Sequence, residues 1–241
     1  MSRILVNFTS NEPVKPDFFD KHYVQSMIYS TLYDAGYRDI HIGNKFRYFS
    51  FSDFYPSGPM QRNENKSFLI SSPAVNIIRS LKNLFEERWF FFLGNHRFTI
   101  EKIKMIDIRR PIKRYRTGSP VILYKESRRN IYFSLRRGDG LAFFFRRIKE
   151  NAIKRYRQFS GDREYDLPFP IFDSMEFKKE ISVHIKRGRT NFQIIGTMWE
   201  NMERFVLRRR DEPFYRFILD AGIGEKPSLG FGFLNPVKEV N

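Results

Sequence analysis

The order of strand-like and helix-like segments is the feature that most constrains the fold of this chain. In its first half, apolar residues alternate over short stretches and recur every three or four residues over longer ones, which predicts strands and helices respectively. The predicted elements are a strand at 3–9, a helix at 20–35 between Asp20 and Gly36, strands at 46–54 and 67–71, a helix that begins at Ser72 and Pro73, and strands over RWFFFLG and FTIEKIKMIDI. This β-α-β-β-α-β order is that of a ferredoxin-like unit.

The second half of the chain fits the same order of elements with additional hairpin strands, and no sequence repeat between the halves is visible. Its predicted elements are strands at 120–125 and 131–136, a helix at 139–157, strands at 178–186, 191–196 and 203–208, a helix from Asp211 to Ala221, and a strand at 228–235. The basic segment 109–120, which contains proline and glycine, is predicted to link the halves. We therefore expect an α+β protein of two tandem ferredoxin-like units with antiparallel sheets, one domain over 1–112 and the other over 118–241.

A strong excess of positive charge indicates the class of partner. Lysine and arginine number 43 against 27 aspartate and glutamate residues, which gives a formal net charge of +16. Such a balance attracts polyanions through phosphate-directed, salt-dependent contacts, so nucleic acid is the expected partner. An acidic membrane or protein surface is the alternative that charge alone leaves open.

Several classes of site are excluded by what the sequence lacks. Without cysteine, the chain cannot carry disulfides, thiol nucleophiles, iron–sulfur clusters or cysteine-based zinc fingers. No two of the four histidines have the i, i+4 spacing of a helical metal site, so neither a metal nor a cofactor is expected. The sequence has no apolar run of 18 residues and no signal-peptide pattern, and we expect a cytoplasmic protein without a membrane partner.

A doubled glycine motif lies between the last predicted helix and the last predicted strand. Gly222-Ile-Gly224 is followed, after five residues that include Lys226, by Gly230-Phe-Gly232. The spacing differs from that of a nucleotide-triphosphate loop, and Lys226 precedes a proline rather than a helix. Gly222 is the predicted stop of the helix, and the other glycines are expected to shape a cleft for backbone phosphate, with the Gly232 position leaving one sheet face open.

This G-h-G-x5-G-h-G pattern (h, apolar), its position and the two-unit order together resemble proteins of CRISPR systems. The chain is similar to the repeat-associated (RAMP) proteins, and within them to the CRISPR-associated endoribonucleases that process CRISPR repeat transcripts. The resemblance covers the whole chain in architecture and is concentrated in residues 22–50 and 214–236. It implies an endoribonuclease that cuts CRISPR repeat RNA (pre-crRNA) without a metal, by 2′-hydroxyl attack, leaving a 2′,3′-cyclic phosphate and a 5′-hydroxyl.

The resemblance also implies which residues are catalytic. Family members carry a tyrosine on the first helix, a histidine after it and a lysine a few residues beyond, and Tyr29, His41 and Lys45 match these positions. Histidine can give and take a proton near neutral pH, and lysine offers a cation to the transition state. His22 is the alternative catalytic histidine, or a structural cap of the helix. Residue types and spacing alone leave other roles open: an ordinary loop histidine for His41, packing against the sheet or a partner domain for Tyr29, and a phosphate anchor for Lys45. Tyr29 is predicted to share a polar-aromatic helix face, away from the apolar stripe, with His22, Gln25, Ser26 and Tyr33.

Basic residues interleaved with aromatic ones predict further RNA contacts. The helix at 139–157 presents cations, Arg155 among them, opposite an apolar stripe, and KRGRT is predicted to be a basic hairpin tip beside an RNA stem. For any single cation, a solvated surface position is the alternative. The predicted RNA-binding residues are Gly222, Gly224, Lys226, Gly230, Gly232, Lys186, Arg187, Arg189, His184, Arg146 and Arg147.

Two other functions stay open at the level of sequence. One is a non-catalytic RNA-binding RAMP subunit of a CRISPR effector complex, and the other is a basic RNA-binding module unrelated to CRISPR. The expected partners are CRISPR repeat RNA with its processed crRNA, effector-complex proteins, and a second copy in a homodimer, which the abundant aromatic residues favour.

Overall fold

The N-terminal unit is a five-stranded antiparallel sheet with two helices packed on one face. The computed structural model describes residues 2–38, 48–108, 112–187 and 190–237. Its first strands and helices are β1 (Ser2–Thr9), α1 (Lys21–Asp34), β2 (Ser50–Phe51), β3 (Lys66–Ser72), α2 (Val75–Arg88), β4 (Phe90–Leu93) and β5 (His96–Asp107). The strand order β2-β3-β1-β5-β4 contains the ferredoxin-like order, read from β5 to β2, and β4 is added at the edge as a hairpin partner of β5.

The C-terminal unit repeats this arrangement with a four-stranded antiparallel sheet. Its elements are β6 (Arg114–Thr117), β7 (Tyr124–Glu126), β8 (Ile131–Tyr132), α3 (Leu141–Ser160), β9 (Ser174–Arg187), β10 (Thr190–Glu203), α4 (Glu212–Ala221) and β11 (Leu234–Pro236). The sheet order is β11-β6-β10-β9, and β7 and β8 form a separate hairpin. The predicted α+β class, with two ferredoxin-like units and antiparallel sheets, is confirmed.

Each sheet buries one face against its own helices. In β1, alternation points Ile4, Val6 and Phe8 toward α1 and α2, where all three are fully buried. Phe144 of α3 and Phe214 of α4 belong to a second buried cluster in the C-terminal unit. Within the described residues, no helix is both long and apolar enough to cross a membrane.

The predicted helix starts are right for α1 and displaced for α2. The Asp20 carboxylate accepts a hydrogen bond from the His22 amide (2.7 Å), as expected of the N-cap of α1. In α2, Ala74 rather than Ser72 is the N-cap, because Ser72 still belongs to β3 and its hydroxyl accepts a hydrogen bond from the Ala74 amide (3.1 Å). Pro73 consequently lies before the helix.

Three predictions for the C-terminal half need correction. The expected linker at 109–120 contains β6, in which Tyr115 and Thr117 are buried. No strand follows at 203–208, since β10 ends at Glu203. The strand expected at 228–235 is reduced to β11, because Pro227–Leu229 forms a 3₁₀ turn instead.

The C-terminal end of α4 joins the two units. The Arg3 guanidinium, in β1, donates to the Leu219 carbonyl and lies 3.3 Å from the Asp220 carboxylate. The hydroxyls of Ser50 and Ser71 donate to the Asp220 carbonyl at 3.0 and 2.7 Å. Because the last carbonyls of a helix have no partners within it, these bonds fix the end of α4, and the loop after it, against the N-terminal sheet.

Arg155 completes this junction from the other side. Expected on the solvated face of α3, it is instead buried, and it donates to the carbonyls of Ala221 (2.7 Å) and Gly222 (2.9 Å). Burial lowers the pKa of Arg155 to about 10, which leaves the guanidinium charged at neutral pH. A cation at the C-terminal end of α4 is also favoured by the helix dipole.

Candidate functional site

The four glycines of the doubled motif are required by the backbone and by packing inside the protein. Their φ angles lie between 65° and 75°, a region that residues with a Cβ rarely adopt. A Cβ on Gly232 would lie 1.8 Å from the Ile223 carbonyl oxygen, and one on Gly230 would lie 2.2 Å from the Phe51 ring. Gly222 ends α4 as predicted. The expectation of an open sheet face at Gly232 is wrong, because protein atoms fill that space and the residue lies outside any strand.

The loop formed by residues 222–233 is held against the first two turns of α1. Lys21 donates to the Gly230 carbonyl (2.7 Å) and also pairs with the Asp53 carboxylate. One turn further along the helix, the Gln25 amide donates to the Ser228 carbonyl (3.0 Å). The loop of the C-terminal unit is thereby fixed beside the helix that carries Tyr29.

A cavity of about 380 Å³ lies between this loop and α3. Arg147 reaches across it, with Nη2 3.1 Å from Oε1 of Glu225. Burial raises the pKa of Glu225, and Arg147 opposes that shift. Lys226 Nζ lies 5.5 Å from the centre of the Tyr124 ring. The lining residues are Tyr124, Ser127, Arg147, Glu150, Asn151, Lys154, Arg155, Gly224, Glu225, Lys226, Pro227 and Ser228. Four cations against two carboxylates suit a ligand with a phosphate backbone.

Tyr29 is buried, which corrects its predicted position on an exposed helix face. Its ring packs edge-on against Phe49, with ring centres 5.3 Å apart, and only 8% of the residue is exposed. Tyr33, from the same predicted strip, is 55% exposed. Tyr29 follows Gln25 by four residues, so it lies one helical turn beyond the contact with the glycine-rich loop.

His41 and Lys45 lie outside the described residues. The described chain stops at Arg38 after α1 and starts again at Tyr48. The Tyr48 ring packs against Phe159 of α3 and Phe217 of α4, at 5.0 and 6.0 Å between ring centres. The Tyr48 end of this segment therefore lies at the junction of the two units.

The three remaining histidines have different surroundings. His22 is half-buried at the start of α1, with Nδ1 3.3 Å from the Ser26 hydroxyl. His96 is buried, and its Nε2 lies 2.8 Å from the Ser10 hydroxyl, a structural role. His184 is exposed on β9 and lines a second cleft of about 380 Å³ together with Lys21 and Asp53.

The two predicted cations of α3 border different cavities. Arg146 lines a basic groove of about 960 Å³ that runs along the helix. Arg147 lines the cavity between α3 and the glycine-rich loop. The sequence analysis missed Arg157 and Arg163, which also line the groove. The recurrence of cations at one-turn intervals along α3 could have indicated Arg157. Of the predicted hairpin residues, Lys186 and Arg187 are described only by their backbone in β9, and Arg189 lies outside the described residues.

The fold and the loop together define a class, that of the two-unit RAMP proteins. Comparison with known proteins identifies the family within it. The family model for the CRISPR associated protein Cas6, C-terminal, matches residues 101–236. A curated CRISPR-associated endoribonuclease Cas6 2 from Methanocaldococcus jannaschii is 33% identical over 98% of this chain and 100% of its own length. A second relative, the endoribonuclease Cas6 of Haloferax mediterranei, is 24% identical over 79% of this chain and 77% of its own length.

Solved structures agree with this assignment at the level of fold. A structure titled CRISPR associated protein Cas6 superposes with a TM-score of 0.71 at 19% identity, over 99% of this chain and 100% of that one. A Cas6 product complex superposes with a TM-score of 0.63 at 13% identity, over 98% and 99%. The chain belongs to the Cas6 family of CRISPR-associated endoribonucleases.

Proposed function

We propose that the protein cuts CRISPR repeat RNA without a metal ion, by attack of the 2′-hydroxyl on the adjacent phosphorus. The 5′-oxygen leaves, so the products carry a 2′,3′-cyclic phosphate and a 5′-hydroxyl. The observation that carries the proposal is the contact between Gln25 and Ser228, which holds α1 and the glycine-rich loop together beside the cationic cavity. The names of the curated relatives, which describe endoribonucleases, support RNA cleavage as the reaction.

The proposed catalytic residues are Tyr29, His41 and Lys45. The reaction needs a base that takes the 2′-hydroxyl proton, an acid that protonates the 5′-oxygen, and a cation beside the developing charge. Histidine suits the proton transfers and lysine suits the charge. Chain connectivity supports the grouping: Phe49 packs on Tyr29, and the four residue steps from Lys45 to Phe49 span at most about 14 Å.

The cavity between α3 and the glycine-rich loop supports an RNA path next to these residues. We propose that Arg147, Lys226 and the loop hold backbone phosphates there, and that Arg146 extends the path along α3. His184 and the hairpin of β9 and β10 form a second proposed contact, at the other side of α1. We also propose effector-complex proteins and a second copy of the chain as partners. Light scattering with and without RNA measures whether the homodimer forms.

Substitution of the two candidate histidines tests the proposal. With labelled repeat RNA in EDTA, we expect His41→Ala to cut about 10²- to 10⁴-fold more slowly than wild type while binding RNA with unchanged affinity. His22→Ala is the matched control, because the ring of His22 lies within hydrogen-bond distance of Ser26 on its own helix, and the variant should cut within a few-fold of wild type. Full activity of His41→Ala would remove this histidine from the mechanism, and binding without any cleavage by wild type would indicate an RNA-binding subunit.

A further inference from the structure

The outer face of the N-terminal sheet, opposite to α1 and α2, is open along β5 and β4. The register places Phe92 opposite Arg97 and Phe90 opposite Thr99, whereas the intervening Phe91 is buried in the core. Arg97 lies over the Phe90 ring, with Cζ 4.4 Å from its centre, and the rings of Phe90 and Phe92 meet edge-on at 5.7 Å. Phe92 is 48% exposed.

Two further cations extend this face toward β1. Lys102 is opposite Asn7 and Lys104 is opposite Leu5, and both β1 residues alternate with the buried core side chains of that strand. Both lysines are exposed. Within the described part of the chain, no carboxylate lies within 4.0 Å of the charged groups of Arg97, Lys102 or Lys104.

We propose that this aromatic–basic face, formed by Phe90, Phe92, Arg97, Lys102 and Lys104, binds unpaired nucleotides of the RNA outside the segment that is cut. Aromatic rings exposed on an antiparallel sheet offer planes on which bases stack, and the Arg97 guanidinium already lies over one ring. The two lysines are available for the phosphates that connect the stacked bases. The inference deepens the proposed function and rests on it for the identity of the RNA.

A protein strand is the competing occupant, because β4 is an edge strand with unpaired backbone groups. The charges favour RNA. A strand added to β4 would satisfy its backbone but would leave the positive charges of Arg97, Lys102 and Lys104 in excess of the Glu101 carboxylate, which lies on the same face and accepts from the Thr9 hydroxyl (2.6 Å), whereas phosphates neutralise that excess. The net charge of +16 acts in the same direction and disfavours a second copy of the chain at this position.

The aromatic–basic face is separate from the proposed cleavage site. The glycine-rich loop packs on β2, where the Phe51 ring lies next to Gly230. In the strand order β2-β3-β1-β5-β4, four strand spacings separate β2 from β4, or about 19 Å. Substitutions on this face can therefore be measured without touching the residues proposed to cut RNA.

The test compares the Phe92→Ala/Arg97→Ala variant with wild type on two RNAs. One is the repeat with unpaired flanking nucleotides on both sides, and the other is the same repeat with the flanks removed. We expect the variant to bind the flanked RNA about tenfold more weakly, by fluorescence anisotropy at one salt concentration, and the trimmed RNA with unchanged affinity. Phe205→Ala, which removes another exposed ring, is the matched control and should change neither affinity.

Three results would overturn the inference. Affinity for flanked RNA within twofold of wild type would show that the face does not bind nucleotides. An equal loss of affinity for flanked and trimmed RNA would show that the face acts on binding of the repeat and not of its flanks. A change of oligomeric state in the variant with unchanged RNA affinity would identify a protein interface.

Cleavage of trimmed RNA by the variant and by wild type is measured in parallel. If wild type fails to cut, the proposed function falls, while the flank-dependent affinity still tests the face.

Discussion

Arg3 and Asp220 form a buried ion pair across the junction of the two units, with Arg3 Nε 3.3 Å from Oδ1 of Asp220, although the residues are 217 positions apart. Burial lowers the pKa of Arg3, and the Asp220 carboxylate opposes that shift. The same guanidinium donates to backbone carbonyls on both sides of the glycine-rich loop, those of Leu219 and Leu234. One side chain of β1 thus fixes where the loop starts and where it ends.

Removing the Arg3 side chain should therefore destabilise the protein strongly. We expect Arg3→Met to lower the free energy of unfolding by about 3–5 kcal/mol, because the Asp220 carboxylate and the carbonyls of Leu219 and Leu234 lose the hydrogen bonds from a buried guanidinium. Arg88→Ala is the control, since both side chains of its pair with Asp34 are about one third exposed (36% and 37%) and the pair should contribute less than about 1 kcal/mol. Urea unfolding measures both. A loss for Arg3→Met as small as that for Arg88→Ala would contradict the role of the ion pair.

Replacement by alanine should destabilise the protein more at the glycines of the motif than at other glycines with positive φ. Gly232→Ala places a Cβ 1.8 Å from the Ile223 carbonyl oxygen, and we expect it to cost more than about 4 kcal/mol or to prevent folding. Gly138 has a similar φ of 78° but no atom within 4 Å of the added Cβ, so Gly138→Ala should cost only about 1–2 kcal/mol. Thermal unfolding compares the two. Similar melting temperatures would mean that packing does not explain the motif.

The buried carboxyl group of Glu225 should make stability depend on pH. Its pKa is raised in the folded state, so the folded protein holds this proton to higher pH than the unfolded chain does. The stability from this group is fully present below the ordinary value of 4.5 and is lost as the pH rises through the raised pKa. Glu225→Gln removes that loss, and its free energy of unfolding should gain on wild type between about pH 4 and pH 7. Glu86→Gln, at a half-exposed carboxylate that pairs with Lys82 on α2, is the control and should show no such gain. A constant difference across this range would contradict the raised pKa.

Tyr29 should contribute a hydroxyl to catalysis in addition to a packed ring. Tyr29→Phe keeps the contact with Phe49, so we expect the free energy of unfolding to change by less than about 1 kcal/mol. The single-turnover cleavage rate should nevertheless fall at least about tenfold. Tyr33→Phe, whose ring is exposed four residues further along α1, is the control and should cut at the wild-type rate. An unchanged rate in Tyr29→Phe would restrict this residue to packing.

The sequence predicted α1 well because its signals are local. Asp20 caps the helix start, Gly36 follows its end with a φ of 91°, and the apolar stripe between them is regular. Strand β6 was missed because only Tyr115 and Thr117 face inward, and the arginines between and before them look like a basic linker. A two-residue inward pattern is too short to distinguish a strand from a loop.

Other features could not be predicted because distant parts of the chain decide them. Tyr29 is outside the apolar stripe of α1, yet Phe49 covers it after the chain returns. Arg155 follows the spacing of the basic face of α3, yet it is buried because its guanidinium donates hydrogen bonds to the carbonyls at the end of α4. The four glycines indicated that the backbone turns there, whereas the atoms that exclude a side chain are set by the fold, such as the Phe51 ring at Gly230 and the Ile122 carbonyl at Gly224.

Attack by the 2′-hydroxyl without a metal ion is tested most directly by comparing two RNA substrates. Repeat RNA and the same RNA with a single 2′-deoxynucleotide before the scissile phosphate are incubated with the protein in EDTA, and the ends of the products are analysed. We predict that the all-ribose RNA is cut to a 2′,3′-cyclic phosphate and a 5′-hydroxyl, and that the deoxy RNA stays intact although it binds equally well. Cleavage of the deoxy RNA, or cleavage only when magnesium is supplied, would contradict attack by the 2′-hydroxyl without a metal.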